Sequence, residues 1–237
     1  LIGSGGREHV IAHQLAKSPR CQQLYIAPGN PGTFQCGENV DINVDDIDGL
    51  VAFAKDNAID LTFVGPEQPL ALGIVDAFEQ KGLVIVGPNK EASQLESSKA
   101  WAKAKYKSYQ MPTAEYGEFR TLEESLDYVT SKNQYPIVIK ADGLAAGKGV
   151  TIAQSFDEAK QALEDCFVNQ VFKTAGDCVV IEDFLQGEEA SLFAFTDGHT
   201  VVPMVSAQDH KAIYDGDTGP NTGGMGAYSP APVVTEE

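Results

Sequence analysis

The stretch Pro136-Ile-Val-Ile-Lys-Ala-Asp-Gly-Leu-Ala-Ala-Gly-Lys-Gly-Val-Thr-Ile152 constrains the fold most. Ile137, Val138 and Ile139 form a β-branched apolar run, the pattern of a buried strand. Lys140 ends that run. Gly143, Gly147 and Gly149 follow, with Ala145 and Ala146 between them, and a second apolar run resumes at Val150. The pattern predicts a hairpin with a glycine-rich tip that carries Lys148. Glycines let backbone N–H groups approach an anion, and lysines add point charges. A Walker A loop is excluded, because Gly147-Lys148 is followed by Gly149 and a strand, not by Ser or Thr and a helix.

The length of 237 residues allows two domains. The chain starts at Leu1 inside what reads as the tail of a strand, so it is expected to be a fragment. No apolar run approaches the ~20 residues of a membrane helix. The net charge of −17 disfavours a general nucleic-acid-binding role. Cys21, Cys36, Cys166 and Cys178 form no C-x-x-C pair, which suits a reduced, cytoplasmic chain.

In residues 1–96, strands alternate with helices. Strands are expected at Leu1-Ile2, Leu24–Ala27, Asp41–Val44, Leu61–Val64 and Leu83–Val86. Helices are expected after His9, over Asp48–Asn57 and over Leu70–Gln80. That order predicts a doubly wound parallel sheet. Gly3-x-Gly5 opens a dinucleotide fingerprint, but Glu8 stands where the third glycine belongs. What survives is a glycine turn at a helix N-terminus, an anion site, with Arg7 placed to fork onto a phosphate. Glu67, in Gly65-Pro-Glu-Gln-Pro-Leu70, follows a strand end at the sheet edge where such folds bind ligands. His9 and His13 lie one helical turn apart and read as ordinary helix residues, since no third metal ligand accompanies them.

Residues 97–237 begin with a helix over Ser97–Tyr109 that carries Lys99, Lys103, Lys105 and Lys107, a run that suits a solvated face. A strand at Glu115–Phe119, a helix at Leu122–Ser131, the hairpin, a helix at Phe156–Val168 and a strand at Val179–Ile181 follow. That last strand enters a polar turn with Glu182 and Glu189 at its ends. Carboxylates there can grip an amine or ribose hydroxyls, and the backbone at Asp183 and Leu185 can read an adenine edge. Strands at Leu192–Phe195 and Val201–Val205 precede a long polar loop from Gln208 to Pro232. Its Gly, Asn and Thr content suits a backbone-lined cradle for a small polar substrate.

Four motifs occur in one order: Gly3-Ser-Gly-Gly-Arg-Glu-His9; Val64-Gly-Pro-Glu-Gln-Pro-Leu70; Ile139-Lys-Ala-Asp-Gly-Leu-Ala-Ala-Gly-Lys-Gly149; and Gln208-Asp-His-Lys211 with Gly219–Pro230. The set, spanning nearly the whole chain, resembles the phosphoribosylamine–glycine ligases (glycinamide ribonucleotide synthetases) of the ATP-grasp superfamily. The resemblance implies an α/β chain. Its N-terminal doubly wound parallel-sheet (pre-ATP-grasp) domain spans 1–96. An incomplete ATP-grasp domain spans 97–237, with its ATP-binding lobe at 110–185. It implies a reaction in which ATP, glycine and 5-phosphoribosylamine give ADP, phosphate and glycinamide ribonucleotide through glycyl phosphate.

By the same resemblance Lys103, Lys140, Gly147, Lys148 and Gly149 match residues on the ATP phosphates, the glycine tip acting as a lid. Glu182, Asp183 and Leu185 match the adenine-binding turn and Glu189 the ribose carboxylate. Gly5, Gly6, Arg7 and Glu67 are expected to hold phosphoribosylamine. Asp209, His210 and Lys211, with Asn221, Thr222, Gly223 and Gly224, are expected to hold glycine and its activated form. Lys140, Lys148, Asp209, His210 and Lys211 are the expected catalytic set. The family's Mg2+ ligands are expected beyond Glu237, so no metal ligand is assigned here, and the chain alone is expected to be inactive. No nucleic-acid or membrane partner is implied.

Overall fold

The computed structural model describes residues 1–143, 149–216 and 218–235. The chain forms two compact units, Leu1–Ala102 and Lys103–Glu237. Among the described residues no helix is long and apolar enough to cross a membrane.

The first unit contains strands β1 (Ile2–Gly3), β2 (Tyr25–Pro28), β3 (Glu38–Asn39), β4 (Thr62–Phe63) and β5 (Ile85–Val86). Its helices include α1 (Gly6–Ala16), α2 (Ile47–Asp56), α3 (Glu67–Leu72) and α4 (Ile74–Glu79). All strand pairs are parallel, and an Ile2↔Val64 bridge joins β1 to the strand carrying β4, giving the order β3-β2-β1-β4-β5. The winding reverses between β1 and β4. Crevices form beyond the carboxyl ends of strands at such a reversal, and the two glycine loops, 3–6 and 65–67, begin there. Ile2, Val64, Ile74, Val75 and Phe78 lie in the core beneath.

Two expectations for this unit are corrected. The strand placed at Asp41–Val44 lies earlier, at Glu38–Asn39, where Glu38 and Val40 donate to the carbonyls of Leu24 and Ile26 at 2.9 and 2.8 Å. Ile42 and Val44 pack on the core as side chains outside the strand, so their alternation reported packing, not pairing. The helix expected over Leu70–Gln80 is two helices, starting at Glu67 and broken at Gly73. Gly73 adopts the left-handed conformation, φ +97°, and its amide closes the first helix on the carbonyls of Pro69 and Leu70.

A further pair of helices, α5 (Gln94–Ser97) and α6 (Lys99–Ser108), replaces the single helix expected over Ser97–Tyr109. Ser98 is extended between them, and its hydroxyl accepts from the Trp101 amide at 3.1 Å, an N-cap for α6.

The second unit is built on strands β6 (Tyr116–Phe119), β7 (Ile137–Ala141), β8 (Val150–Ala153) and β9 (Val179–Asp183). They form one antiparallel sheet in the order β6-β9-β7-β8. The expected hairpin is present, with Ile137 opposite Ala153 and Lys140 opposite Val150. Helices α7 (Leu122–Lys132) and α8 (Phe156–Phe167) are started by Thr121 and Ser155, whose hydroxyls accept from the amides of Glu124 and Glu158. Alternation along the strands turns Ile137, Ile139, Val179 and Ile181 onto Val129 of α7 and Leu163 of α8. The other face therefore carries Val138, Lys140, Val180 and Glu182.

Strands β10 (Ala194–Thr196) and β11 (Val201–Pro203) pair antiparallel. The long loop expected from Gln208 to Pro232 is instead mostly a second antiparallel pair, β12 (Gln208–Tyr214) and β13 (Thr218–Tyr228). Main-chain bonds hold this ladder, which is why side chains so poor in strand preference gave no signal for it.

Gly73→Ala forces a side chain into the left-handed region. The first unit is expected to lose about 1–2 kcal/mol of stability, read from a urea transition followed by circular dichroism. An unchanged midpoint contradicts the account of the helix break.

Candidate functional site

In the second unit the sheet face opposite the helices holds a buried charge cluster. Glu182 projects from β9 between its neighbours, opposite Tyr116 of β6 and Val138 of β7. Its Oε2 lies 3.0 Å from Lys103 Nζ and its Oε1 3.0 Å from Lys140 Nζ. The Glu182 and Lys103 side chains are 8% and 7% exposed, and Lys140 is 28% exposed. Lys103 also donates to Thr113 Oγ1 at 2.7 Å and to the Ala114 carbonyl at 3.2 Å. Three acceptors meet three ammonium protons, so this lysine is saturated by protein. The lysine run of α6 thus hides one member that is structural and buried, contrary to the solvated face its composition suggested.

Lys140 is more open. Among the described residues Glu182 is its ion-pair partner, which leaves ammonium protons for a ligand. One carboxylate between two ammonium groups leaves a net positive charge where solvent screens it little, beside the glycine-rich hairpin. Gly147 and Lys148 lie outside the described residues. Gly149 is described, and its carbonyl accepts from the Ala141 amide at 2.8 Å.

Asp183 follows Glu182 and turns to the helix side. Its Oδ1 lies 2.6 Å from Lys132 Nζ at the end of α7, and Lys132 also reaches Glu115 at 3.7 Å. The bond to Asp183 is the main effect that raises the Lys132 pKa above its ordinary value. The Asp183 amide donates to the Glu115 carbonyl at 3.0 Å. The end of β9 is therefore fastened on both faces before the chain reaches Leu185, which is exposed. Lys132 and Thr113 were absent from the expected site. The alternation of Glu182 and Asp183 was the signal that the two carboxylates would need separate cations.

Lys211 on β12 draws in Glu189 and Asp209. It pairs closely with Glu189 and lies 3.4 Å from Asp209 Oδ2. Burial is the largest single influence on Lys211 and opposes its charge, but the bonds to Glu189 and then Asp209 outweigh it and raise its pKa. Glu189, expected on a ribose, is here joined to the residues expected on glycine. His210 packs its ring 5.5 Å from that of Tyr228. In the ladder His210 opposes Gly226 and Ala212 opposes Asn221, so residues 222–225 bulge against Lys211. Thr222 Oγ1 accepts from the Gly224 amide at 3.0 Å, and a Cβ at Gly223 or Gly224 would meet nothing within 4 Å. The residues expected to form a cradle lie in a strand bulge.

In the first unit, Gly5 caps α1 and Gly6 begins it. Arg7 Nη2 lies 3.1 Å from Glu67 Oε2, so the two glycine loops meet through an exposed ion pair, with side chains 71% and 44% exposed. Glu8, outside the expected site, is 3% exposed. Its Oε2 accepts from the Gly5 amide at 2.6 Å, while Oε1 is buried without a hydrogen-bond partner among the described residues. A Cβ at Gly3 or Gly65 would fall 2.3 or 2.4 Å from the Glu8 side chain, and one at Gly5 would fall 2.9 Å from Oε2. These glycines make room for a carboxylate, which is why the dinucleotide spacing failed at Glu8. The His9 ring lies against Gly32. Among the described residues no three His, Cys, Asp or Glu side chains gather as metal ligands.

A cavity of about 80 Å³ lies at the other end of this sheet, lined by Leu1, Tyr25, Phe53, Leu61 and Phe78. It is apolar and holds none of the residues above, so it is packing space at the amino ends of the strands.

Residues 1–96 match the family model of the phosphoribosylglycinamide synthetase N domain, and residues 97–237 that of its ATP-grasp (A) domain. A phosphoribosylamine–glycine ligase of Vibrio vulnificus strain YJ016 is 55% identical over 239 residues, covering 100% of this chain and 56% of the relative. The crystal structure of the phosphoribosylamine–glycine ligase of Thermotoga maritima superposes with a TM-score of 0.78 at 34% identity, over 97% of this chain and 55% of that one. A biotin carboxylase of Campylobacter jejuni shares the fold alone, with a TM-score of 0.69 at 15% identity over 89% of this chain and 51% of that one. The chain thus spans a little over half the length of the ligases it matches. It belongs to the phosphoribosylglycinamide synthetase family.

Proposed function

We propose that this chain supplies the phosphoribosylamine-binding unit and the ATP-binding lobe of an enzyme that joins glycine to 5-phosphoribosylamine at the expense of ATP, a cytoplasmic step of purine biosynthesis. The observation that carries the reading is Glu182 held between Lys103 and Lys140. Two cations against one buried anion favour a phosphate, and Lys140 is the member with donors to give.

In this reading glycine carboxylate attacks the γ-phosphorus of ATP, ADP leaves, and glycyl phosphate forms. The amine of phosphoribosylamine then attacks the acyl carbon, phosphate leaves, and the nitrogen loses a proton. Phosphoryl transfer depends on positioning and charge neutralisation more than on covalent help from the protein. Lys140 neutralises phosphate, Lys103 fixes Glu182, and the turn at Asp183 and Leu185 receives the base. By the family resemblance Gly147, Lys148 and Gly149 would act at the ATP phosphates, where exclusion of water would protect the acyl phosphate. Glu189, Asp209, His210 and Lys211, with the bulge at Asn221–Gly224, form the cradle for glycine. Gly5, Gly6, Arg7 and Glu67 hold phosphoribosylamine. Magnesium customarily accompanies ATP in such chemistry, and among the described residues no three His, Cys, Asp or Glu side chains gather to hold a metal.

Two measurements on a complete enzyme bearing this sequence test the division of labour. Lys140→Met is expected to weaken ATP binding and cut turnover by about tenfold or more, the loss of a charged hydrogen bond. Unchanged kinetics would remove Lys140 from the site. Arg7→Ala is expected to raise the KM for phosphoribosylamine by about tenfold and leave that for ATP near its parent value. A change in the ATP constant alone would overturn the assignment of the first unit.

A further inference from the structure

We infer that Glu8 is a ligand-binding residue of the first unit, whose Oε1 accepts a hydrogen bond from a hydroxyl or amino group of the sugar phosphate bound at the Gly3–Gly6 turn. The inference rests on the sugar-phosphate reading of that turn and adds a residue and a contact to it. Oε2 is committed to the Gly5 amide, but Oε1, in a side chain 3% exposed, has no donor among the described residues. A buried carboxylate oxygen left unpaired is costly, and such defects in a native structure call for a reason.

The surroundings indicate a ligand. Oε1 lies against Gly65, at 2.4 Å from where a Cβ would stand, and Gly65 and Gly3 follow the two strands between which the sheet reverses its winding. No side chain projects from Gly3, Gly5 or Gly65 over the carboxylate, and a Cβ on Gly6 would meet nothing within 4 Å.

The chemistry of the donors divides a sugar phosphate in two. The first amides of α1 and Arg7 suit the phosphate. An ionised carboxylate only accepts, so it repels phosphate and selects a hydroxyl or an amine. A ligand carrying both ends fits the pair.

The test measures binding of ribose 5-phosphate and of inorganic phosphate to the 237-residue chain and to its Glu8→Gln variant by calorimetry. Glutamine keeps an acceptor for the Gly5 amide but places an amide NH2 where Oε1 stood. Glu8→Gln is expected to bind ribose 5-phosphate about tenfold or more weakly and inorganic phosphate as the parent does. Equal affinity of both chains for ribose 5-phosphate overturns the inference. A matching loss for both ligands also overturns it, because Glu8 would then only shape the turn. A parent chain that binds neither ligand removes the sugar-phosphate reading itself, and the contact with it. Should Glu8→Gln not fold, a crystal structure of the parent with ribose 5-phosphate decides. A sugar oxygen within hydrogen-bonding distance of Oε1 supports the contact, and a bound sugar that leaves Oε1 untouched refutes it.

Discussion

The second unit depends on a carboxylate that the sheet cannot leave alone. Glu182 emerges from β9, an inner strand of the sheet, onto a face where Val180 is fully buried. Desolvating an anion there costs several kcal/mol, and Coulomb attraction returns it only with good geometry. Lys103 and Lys140 provide that geometry from α6 and β7, at 3.0 Å each. Thr113 and Ala114 take the remaining protons of Lys103, so the cluster ties α6, the approach to β6, β9 and β7 into one body. Removing Glu182 would leave Lys103 buried without its anion, a loss of about 3–5 kcal/mol by precedent. Among the described residues the same arrangement leaves Lys140 with donors beyond its bond to Glu182. Stability and anion affinity therefore share an origin: the cluster has one cation more than the carboxylate needs.

The first unit buries a carboxylate under a different constraint. Glu8 sits beneath glycines that it requires, since Gly3, Gly5 and Gly65 could not carry side chains without striking it. Glu182 is satisfied by lysines; Glu8 is satisfied at one oxygen by a backbone amide and has no partner at the other among the described residues. This contrast makes the motif Gly-x-Gly-Gly-Arg-Glu legible as one object. Its glycines, read alone, suggest a phosphate turn. Read with Glu8, they also provide the space for an acceptor beside the turn.

Features governed by side-chain pattern were legible in the sequence, and those governed by the backbone or by burial of a charge were not. The hairpin of β7 and β8 was plain because β-branched residues flank a glycine-rich stretch. The break at Gly73 was hidden because Leu70, Ile74 and Phe78 keep helical spacing across it, while the turn depends on one positive φ. The ladder of β12 and β13 was read as a loop because glycine, asparagine and threonine carry little strand preference, although the main chain pairs regardless. Lys103 was singled out through family resemblance, but its burial was invisible: a lysine among lysines on a helix gives no sign of which one turns inward. Lys132 and Glu8 were missed for a similar reason, since each acts on a carboxylate or loop distant in sequence.

Anion sites proposed on an acidic chain need an account of range. The net charge is −17, yet each candidate site shows its cations at short distance: Lys140 at the sheet, Arg7 at the first glycine turn, Lys211 at the bulge. At physiological salt, exposed charges are largely screened beyond about 8 Å. The scattered carboxylates therefore act weakly on an anion already at a site, whereas Lys140, poorly solvated, acts with little screening. Arg7 and Lys211 are more exposed and each carries a carboxylate partner, Glu67 or Glu189 with Asp209. An arriving anion must compete with that partner for the cation. The partners hold the cations in place beforehand, and a ligand with donors of its own can engage the carboxylate as its phosphate or carboxylate engages the cation. Such sites discriminate against simple anions and favour molecules that carry both kinds of group.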